Sequence, residues 1–84
     1  MAGIDFADLV AFKALAETQS FSDAARLIPI SQSAFSRRIE KLESRLDAKL
    51  VERTTRRVTL TAVGRDFYRN VSRIITDLDS TVLG

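Results

Sequence analysis

In the middle of the chain apolar side chains recur at Phe35, Ile39, Leu42 and Leu46. That spacing sets one stripe along one side of a helix. Ser31 is a good N-cap, so the predicted helix runs from Ser31 to about Leu46. Its other face presents Gln32, Ser33, Ser36, Arg37, Glu40 and Lys41. Upstream, Phe6, Leu9, Phe12, Leu15 and Ala16 repeat at helical intervals, which predicts a first helix from Asp5, as cap, to Thr18. The polar run Glu17-Thr-Gln-Ser20 interrupts that pattern. Ser22 is then the candidate cap of a second helix reaching about Ile28, with Phe21 stapling its start and Ala24 and Ala25 allowing close helix approach. Pro29 ends it, because proline disfavours a helical conformation at the residue before it. Two helices joined by so short a turn should cross steeply.

Beyond Leu46 the period shortens. Leu50-Val-Glu-Arg53 and Arg57-Val-Thr-Leu60 are brief runs of apolar and β-branched residues around Thr54, Thr55 and Arg56, which predicts a small hairpin. Thr61 caps a long last helix, Ala62 to about Val82, whose apolar seam is Phe67, Val71, Ile74, Ile75, Leu78 and Val82. Its start can pack on the domain. The remainder exceeds what so small a core can cover, so the seam is expected to form a homodimer interface, the alternative being burial against a C-terminal domain. The expected fold is mainly α, a winged helix-turn-helix with a short β-hairpin wing and a long C-terminal linker helix. Residues 1–60 form the winged domain and 61–84 the linker and dimerisation helix.

The 84 residues suffice for one small domain, and 45% hydrophobic with 29% charged residues describes a folding chain. No apolar run is long enough to span a bilayer, and the first residues lack a signal peptide's basic start, so no membrane partner is expected. The absence of cysteine fits a reducing, cytoplasmic setting. Cysteine and histidine are both absent, which removes the usual ligands and bases; no metal, cofactor or catalytic residue is expected, and the chain does not read as an enzyme.

The net charge of +2 hides an uneven distribution. Residues 1–36 carry two basic and four acidic side chains, residues 37–57 eight basic and four acidic, and residues 58–84 three of each. Basic charge thus gathers on the third helix and the hairpin, as a nucleic-acid footprint would. A solvated surface in which Glu40 and Glu43 neutralise Arg37 or Lys41 is the competing account.

If the third helix enters a major groove, Gln32, Ser33, Ser36 and Arg37 face base edges, with Lys41 behind them. Gln32 can bond adenine in bidentate fashion, and Arg37 can reach guanine or a phosphate. Ser22 and Ser31 mark helix starts, where N–H groups meet phosphates. Arg53, Arg56 and Arg57 supply a cationic wing for the backbone or minor groove. A winged helix serving protein contact would carry neutral or acidic groups at these places. RNA binding would call for exposed stacking aromatics, whereas the phenylalanines mostly fall at core spacing.

Over nearly its whole length the chain resembles the N-terminal DNA-binding domain of LysR-type transcriptional regulators. Ser20-Phe-Ser-Asp-Ala-Ala25, Ile28 and Ile30-Ser-Gln32 resemble the family's helix-turn-helix core, preceded by Phe6, Leu9 and Phe12. Ala34, Ser36, Ile39, Leu42-Glu43, Leu46, Leu50, Arg53, Arg57 and Leu60-Thr-Ala-Val-Gly64 continue it at the family's spacing. The departures are Ser33 in place of a usual proline, Gln19 and Asp47 where glycine is common, and Val51 in place of phenylalanine. The two non-glycine turn residues are expected at positive φ, with some strain. The resemblance implies double-stranded DNA as partner and a homodimer on an interrupted inverted repeat, with higher oligomers open to a full-length protein. It also implies a small-molecule effector bound by a domain following Gly84.

Overall fold

The computed structural model describes residues 4–54 and 57–83, of which 78–83 are described as backbone alone. Four helices and one hairpin follow in the order α1 (Phe6–Thr18), α2 (Phe21–Leu27), α3 (Gln32–Leu46), β1 (Val51–Arg53), β2 (Val58–Leu60) and α4 (Ala62–Leu83). The mainly helical winged helix-turn-helix expected from the pattern is the fold observed.

α1 starts at its expected cap, Asp5, but the stripe behind it is shifted. Phe6 stands half exposed in the first turn, while Asp8 is buried to 1%. Burying a carboxylate is tolerable only if its oxygens are satisfied. One accepts the Asp5 N–H at 3.1 Å and the other an Arg38 guanidinium N–H, also at 3.1 Å. This pair ties α1 to α3.

The cap of α2 is Ser20 and not Ser22. Gln19 takes the left-handed conformation at φ 56°, reversing the chain, so that Ser20 is extended and its Oγ accepts the Asp23 N–H at 3.2 Å. Phe21 becomes the first helical residue and Ser22 the second. Ile28, ahead of Pro29, is extended and ends the helix. α3 has the predicted cap, Ser31, whose Oγ accepts the Ala34 N–H at 3.1 Å. It ends at Asp47, whose φ of 51° makes it the other positive-φ residue expected where glycine is common.

The strands pair antiparallel, Val51 with Leu60 and Arg53 with Val58, each starting one residue later than the sequence suggested. Glu43 sets where β1 begins: its Oε2 accepts the N–H groups of Leu50 and Val51 at 2.8 and 3.2 Å. At the far end of the hairpin the Val58 N–H donates to the Gln19 carbonyl at 3.1 Å, fastening the wing to the α1–α2 turn.

Leu9, Phe12 and Leu15 of α1, Ala24 and Ala25 of α2, and Phe35, Ile39 and Leu42 of α3 enclose one core, closed by Leu50, Val51, Val58 and Val71. α4 seats on this core through Gly64, where a β-carbon would stand 2.0 Å from the Leu50 carbonyl oxygen. Phe67 packs against Phe12 with centroids 5.2 Å apart. Thr61 caps α4 as expected, accepting the Gly64 N–H at 3.0 Å. α4 therefore packs on the same core as the elements that precede it. No helix among the described residues is long and apolar enough to cross a membrane.

Candidate nucleic-acid interface

Because Phe35, Ile39 and Leu42 are drawn into the core, the opposite face of α3 is turned outward. Gln32, Ser33, Arg37 and Lys41 are exposed there, and Ser36 is half buried. The wing stands beside the start of this helix. Its Arg53 guanidinium donates to Ser36 Oγ at 2.9 Å and lies 4.2 Å over the ring of Phe21. Thr54 and Arg57 face one another across the tip: the Thr54 N–H and hydroxyl both donate to the Arg57 carbonyl, at 2.9 and 2.8 Å. Arg56, expected at that tip, lies outside the described residues.

The predicted site residues fall into two groups. Ser22, Gln32, Arg53 and Arg57 share a shallow cleft of about 320 Å³ between α2, the start of α3 and the wing, together with Ser20, Phe21 and Thr54. Arg37 and Lys41 line a second cleft, of about 280 Å³, toward α1, where Arg38, Asp5 and Asp8 also lie. Ser36 stands between, bonded to the wing. Ser31 Oγ is already occupied as a helix cap and also shares a hydrogen bond with Ser33 Oγ at 3.4 Å.

Among the described residues the cations of this surface are not held in ion pairs. Arg37, Lys41, Arg53 and Arg57 take part in none of the ion pairs among the described residues, which are Lys13–Glu17, Arg26–Asp23, Arg38–Asp8 and Arg69–Asp66. Of the two carboxylates that the salt-bridged account would assign to Arg37 or Lys41, Glu43 is spent on the backbone of the wing and Glu40 takes part in none of these ion pairs. The cationic face therefore keeps its field for an external anion. Arg38 is the exception among the basic residues of α3, since it serves Asp8.

Sequence reasoning missed Asp8, Arg38, Glu43 and the contact of Phe21 with Arg53. Only the first left a local signal: Asp5 and Asp8 stand three residues apart at a helix start, the spacing of a capping box. The others depend on contacts between elements.

On α4 the expected dimer seam is partly used up. Val71 is fully buried in its own domain and Phe67 packs on Phe12, so Val71 has no surface left for a partner. Ile75 is partly buried against the same core, and Ile74 stands 41% exposed. The side chains of Leu78 and Val82 lie outside the described residues. Lower on the same helix the Tyr68 hydroxyl donates to Glu17 Oε2 at 2.8 Å, and Lys13 donates to the same oxygen at 2.8 Å. The Lys13 hydrogen bond, followed by that of Tyr68, holds the Glu17 carboxyl below its ordinary value of 4.5.

The profile of bacterial regulatory helix-turn-helix proteins of the lysR family matches residues 6–65. The chain is 42% identical over 78 residues to the uncharacterised HTH-type transcriptional regulator YbhD of Escherichia coli K12, which covers 93% of this chain and 25% of YbhD. It thus spans about a quarter of that relative's length. Among solved structures, the BenM DNA-binding domain in complex with catB site 1 DNA superposes with a TM-score of 0.90 at 35% identity, covering 94% of this chain and 88% of that one. The CbnR DNA-binding domain in complex with DNA gives 0.87 at 32% identity, covering 93% and 90%. The chain belongs to the lysR family of bacterial regulatory helix-turn-helix proteins.

Proposed function

We propose that this chain binds double-stranded DNA in a sequence-specific manner, as the DNA-binding part of a cytoplasmic transcriptional regulator. The observation that carries the reading is the set of cations on the outer face of α3 and on the wing without ion-pair partners among the described residues. The DNA complexes of the BenM and CbnR domains, which share this fold, support it further. α3 enters the major groove, where Gln32, Ser33 and Arg37 meet base edges and Lys41 meets the backbone. Arg53, Arg56 and Arg57 serve the flanking phosphates or the minor groove, and Ser22 and Ser31 lie against the strand beside α3.

Two copies act together on an inverted repeat, joined through the part of α4 that its own core leaves uncovered. Ile74 and Ile75 border that surface, and Leu78 and Val82 extend it in sequence. A two-fold axis through paired α4 helices sets the separation of the two reader helices, and with it the half-site spacing. A small-molecule effector acts through a further domain of the full-length regulator. The chain carries out no catalysis of its own.

Selection of bound sequences from a random duplex pool, followed by a salt titration on the enriched duplex, tests this reading. The expected result is enrichment of a short two-fold-related motif and a log–log salt slope of several units. A pool that remains unenriched, bound no better than bulk DNA, overturns sequence-specific recognition.

A further inference from the structure

Arg53 is held differently from the other cations of the surface. A long arginine on a hairpin ordinarily samples many rotamers, and ordering one on binding costs conformational entropy. Here the guanidinium is fixed from two sides before any ligand arrives. The face of Phe21 lies 4.2 Å beneath its central carbon, and Ser36 Oγ accepts one of its N–H groups at 2.9 Å. The ring is itself oriented by the core. It meets Phe35, fully buried in α3, edge-on at 85° with centroids 6.0 Å apart. Three elements therefore converge on one side chain: α2 through Phe21, α3 through Ser36, and β1 through Arg53 itself.

Two consequences follow from the chemistry. A guanidinium has five N–H donors, so the bond to Ser36 leaves most of them for a phosphate or a base edge. Ser36, in turn, has an oxygen lone pair engaged by the wing, and its hydroxyl direction is restricted accordingly. We propose that Phe21 and Ser36 are positioning residues for Arg53. They hold the wing's arginine at the mouth of the cleft it shares with Gln32 and Arg57, ready to meet DNA. Ser36 is assigned here to the wing and not to direct base reading. The proposal rests on the DNA-binding reading above and adds the residues that set the geometry of one contact.

The test is a double-mutant cycle on the enriched duplex and on a scrambled duplex of equal length. The variants are Phe21→Leu, Phe21→Tyr, Ser36→Ala and Arg53→Ala, singly and combined with Arg53→Ala. Phe21→Leu and Ser36→Ala are each expected to weaken binding about two- to five-fold, the range of an exposed cation–ring or hydrogen-bond contact. Neither should cause any further loss once Arg53 is alanine, and Phe21→Tyr, which keeps the ring face, should restore parental affinity. In the free protein, the Arg53 side-chain protons should carry an upfield ring-current shift that Phe21→Leu abolishes and Ser36→Ala reduces. Equal losses in the Arg53→Ala background overturn the proposal, because Phe21 and Ser36 would then act without Arg53. A Ser36→Ala loss confined to the enriched duplex and independent of Arg53 returns Ser36 to base reading and likewise overturns it. Ser36→Ala removes no core contact, so the cycle remains decisive even if Phe21→Leu fails to fold. If the parent binds neither duplex, the DNA-binding reading itself fails. If the parent binds and the cycle is additive, only the positioning role does.

Discussion

Arg37 and Arg38 are adjacent in sequence and do opposite things. Arg37 is exposed and in no ion pair among the described residues, whereas Arg38 reaches back to the buried carboxylate of Asp8. Arg37→Ala should therefore leave the thermal midpoint unchanged and weaken binding to the enriched duplex by about 1–3 kcal/mol. Arg38→Ala leaves Asp8 buried with one oxygen unanswered. Its expected cost is about 2 kcal/mol of folding stability, below the full penalty of a broken buried pair because Arg38 is itself one-third exposed. Denaturant titration and DNA titration of both variants separate the two roles, and a stability loss in Arg37→Ala would reverse the assignment. The strained turn residue Gln19 offers a test of opposite sign. Its left-handed backbone is natural to glycine, so Gln19→Gly should raise stability by about 0.5–1 kcal/mol, after the extra entropy of an unfolded glycine is deducted.

At the scale of elements, the wing and α4 are placed by close backbone approaches as well as by the apolar contacts of Leu50, Val51, Val58, Phe67 and Val71. Gly64 allows α4 to lie against the Leu50 carbonyl, and a methyl group there meets a backbone oxygen that cannot yield. Gly64→Ala is expected to cost about 3 kcal/mol or more and to loosen wing and α4 together, measurable as a lower unfolding midpoint and faster amide exchange in β1. α4 is also tied to α1 by the Tyr68–Glu17–Lys13 group. The folded Glu17 carboxyl titrates below its ordinary value, so its contribution is present above that value and is lost as pH falls through the folded pKa. Glu17 is nearly half exposed, and the effect should be small. Glu17→Gln should flatten the acid limb of the stability–pH profile below pH 4.5 by lowering stability slightly at neutral pH, with no change in strong acid.

For the whole molecule, the proposed assembly and the charge of the surface are each open to test. Ile74 lies exposed on a helix of 22 residues, about 33 Å long, whose inner turns are already committed to the core. Ile74→Asp is expected to leave a folded chain that sediments as a monomer and binds a half-site, with tight binding to the full site lost. A parent domain that is monomeric at high micromolar concentration, with the variant binding the full site equally well, would assign this surface to a contact within a longer chain. Replacing Arg56 and Arg57 by alanine should weaken enriched and scrambled duplexes alike and lower the salt slope by about one unit per phosphate contact removed. Unchanged slopes would take the wing tip off the backbone.

The order and kind of the elements were legible along the chain, because they depend on local periodicity and on residues whose effect is short-ranged. The stripe of α3, the stop at Pro29 and the caps Asp5, Ser31 and Thr61 all belong to that class, whereas the two turns at positive φ were expected from the family resemblance alone. The concentration of basic residues between Arg37 and Arg57 was equally visible, since charge needs no fold to be counted. The cap of α2 was misread because Ser20 and Ser22 are chemically equivalent, and the choice falls to Gln19, whose turn leaves Ser20 extended. What only the tertiary structure decided is which of the polar groups are already spent. Asp8 is buried for Arg38, Glu43 closes the wing and Ser36 holds Arg53. Val71 belongs to the core and not to a partner. Each of these outcomes depends on a group that arrives from another element, and a hydrogen bond or a contact across thirty residues has no periodicity by which a sequence could announce it.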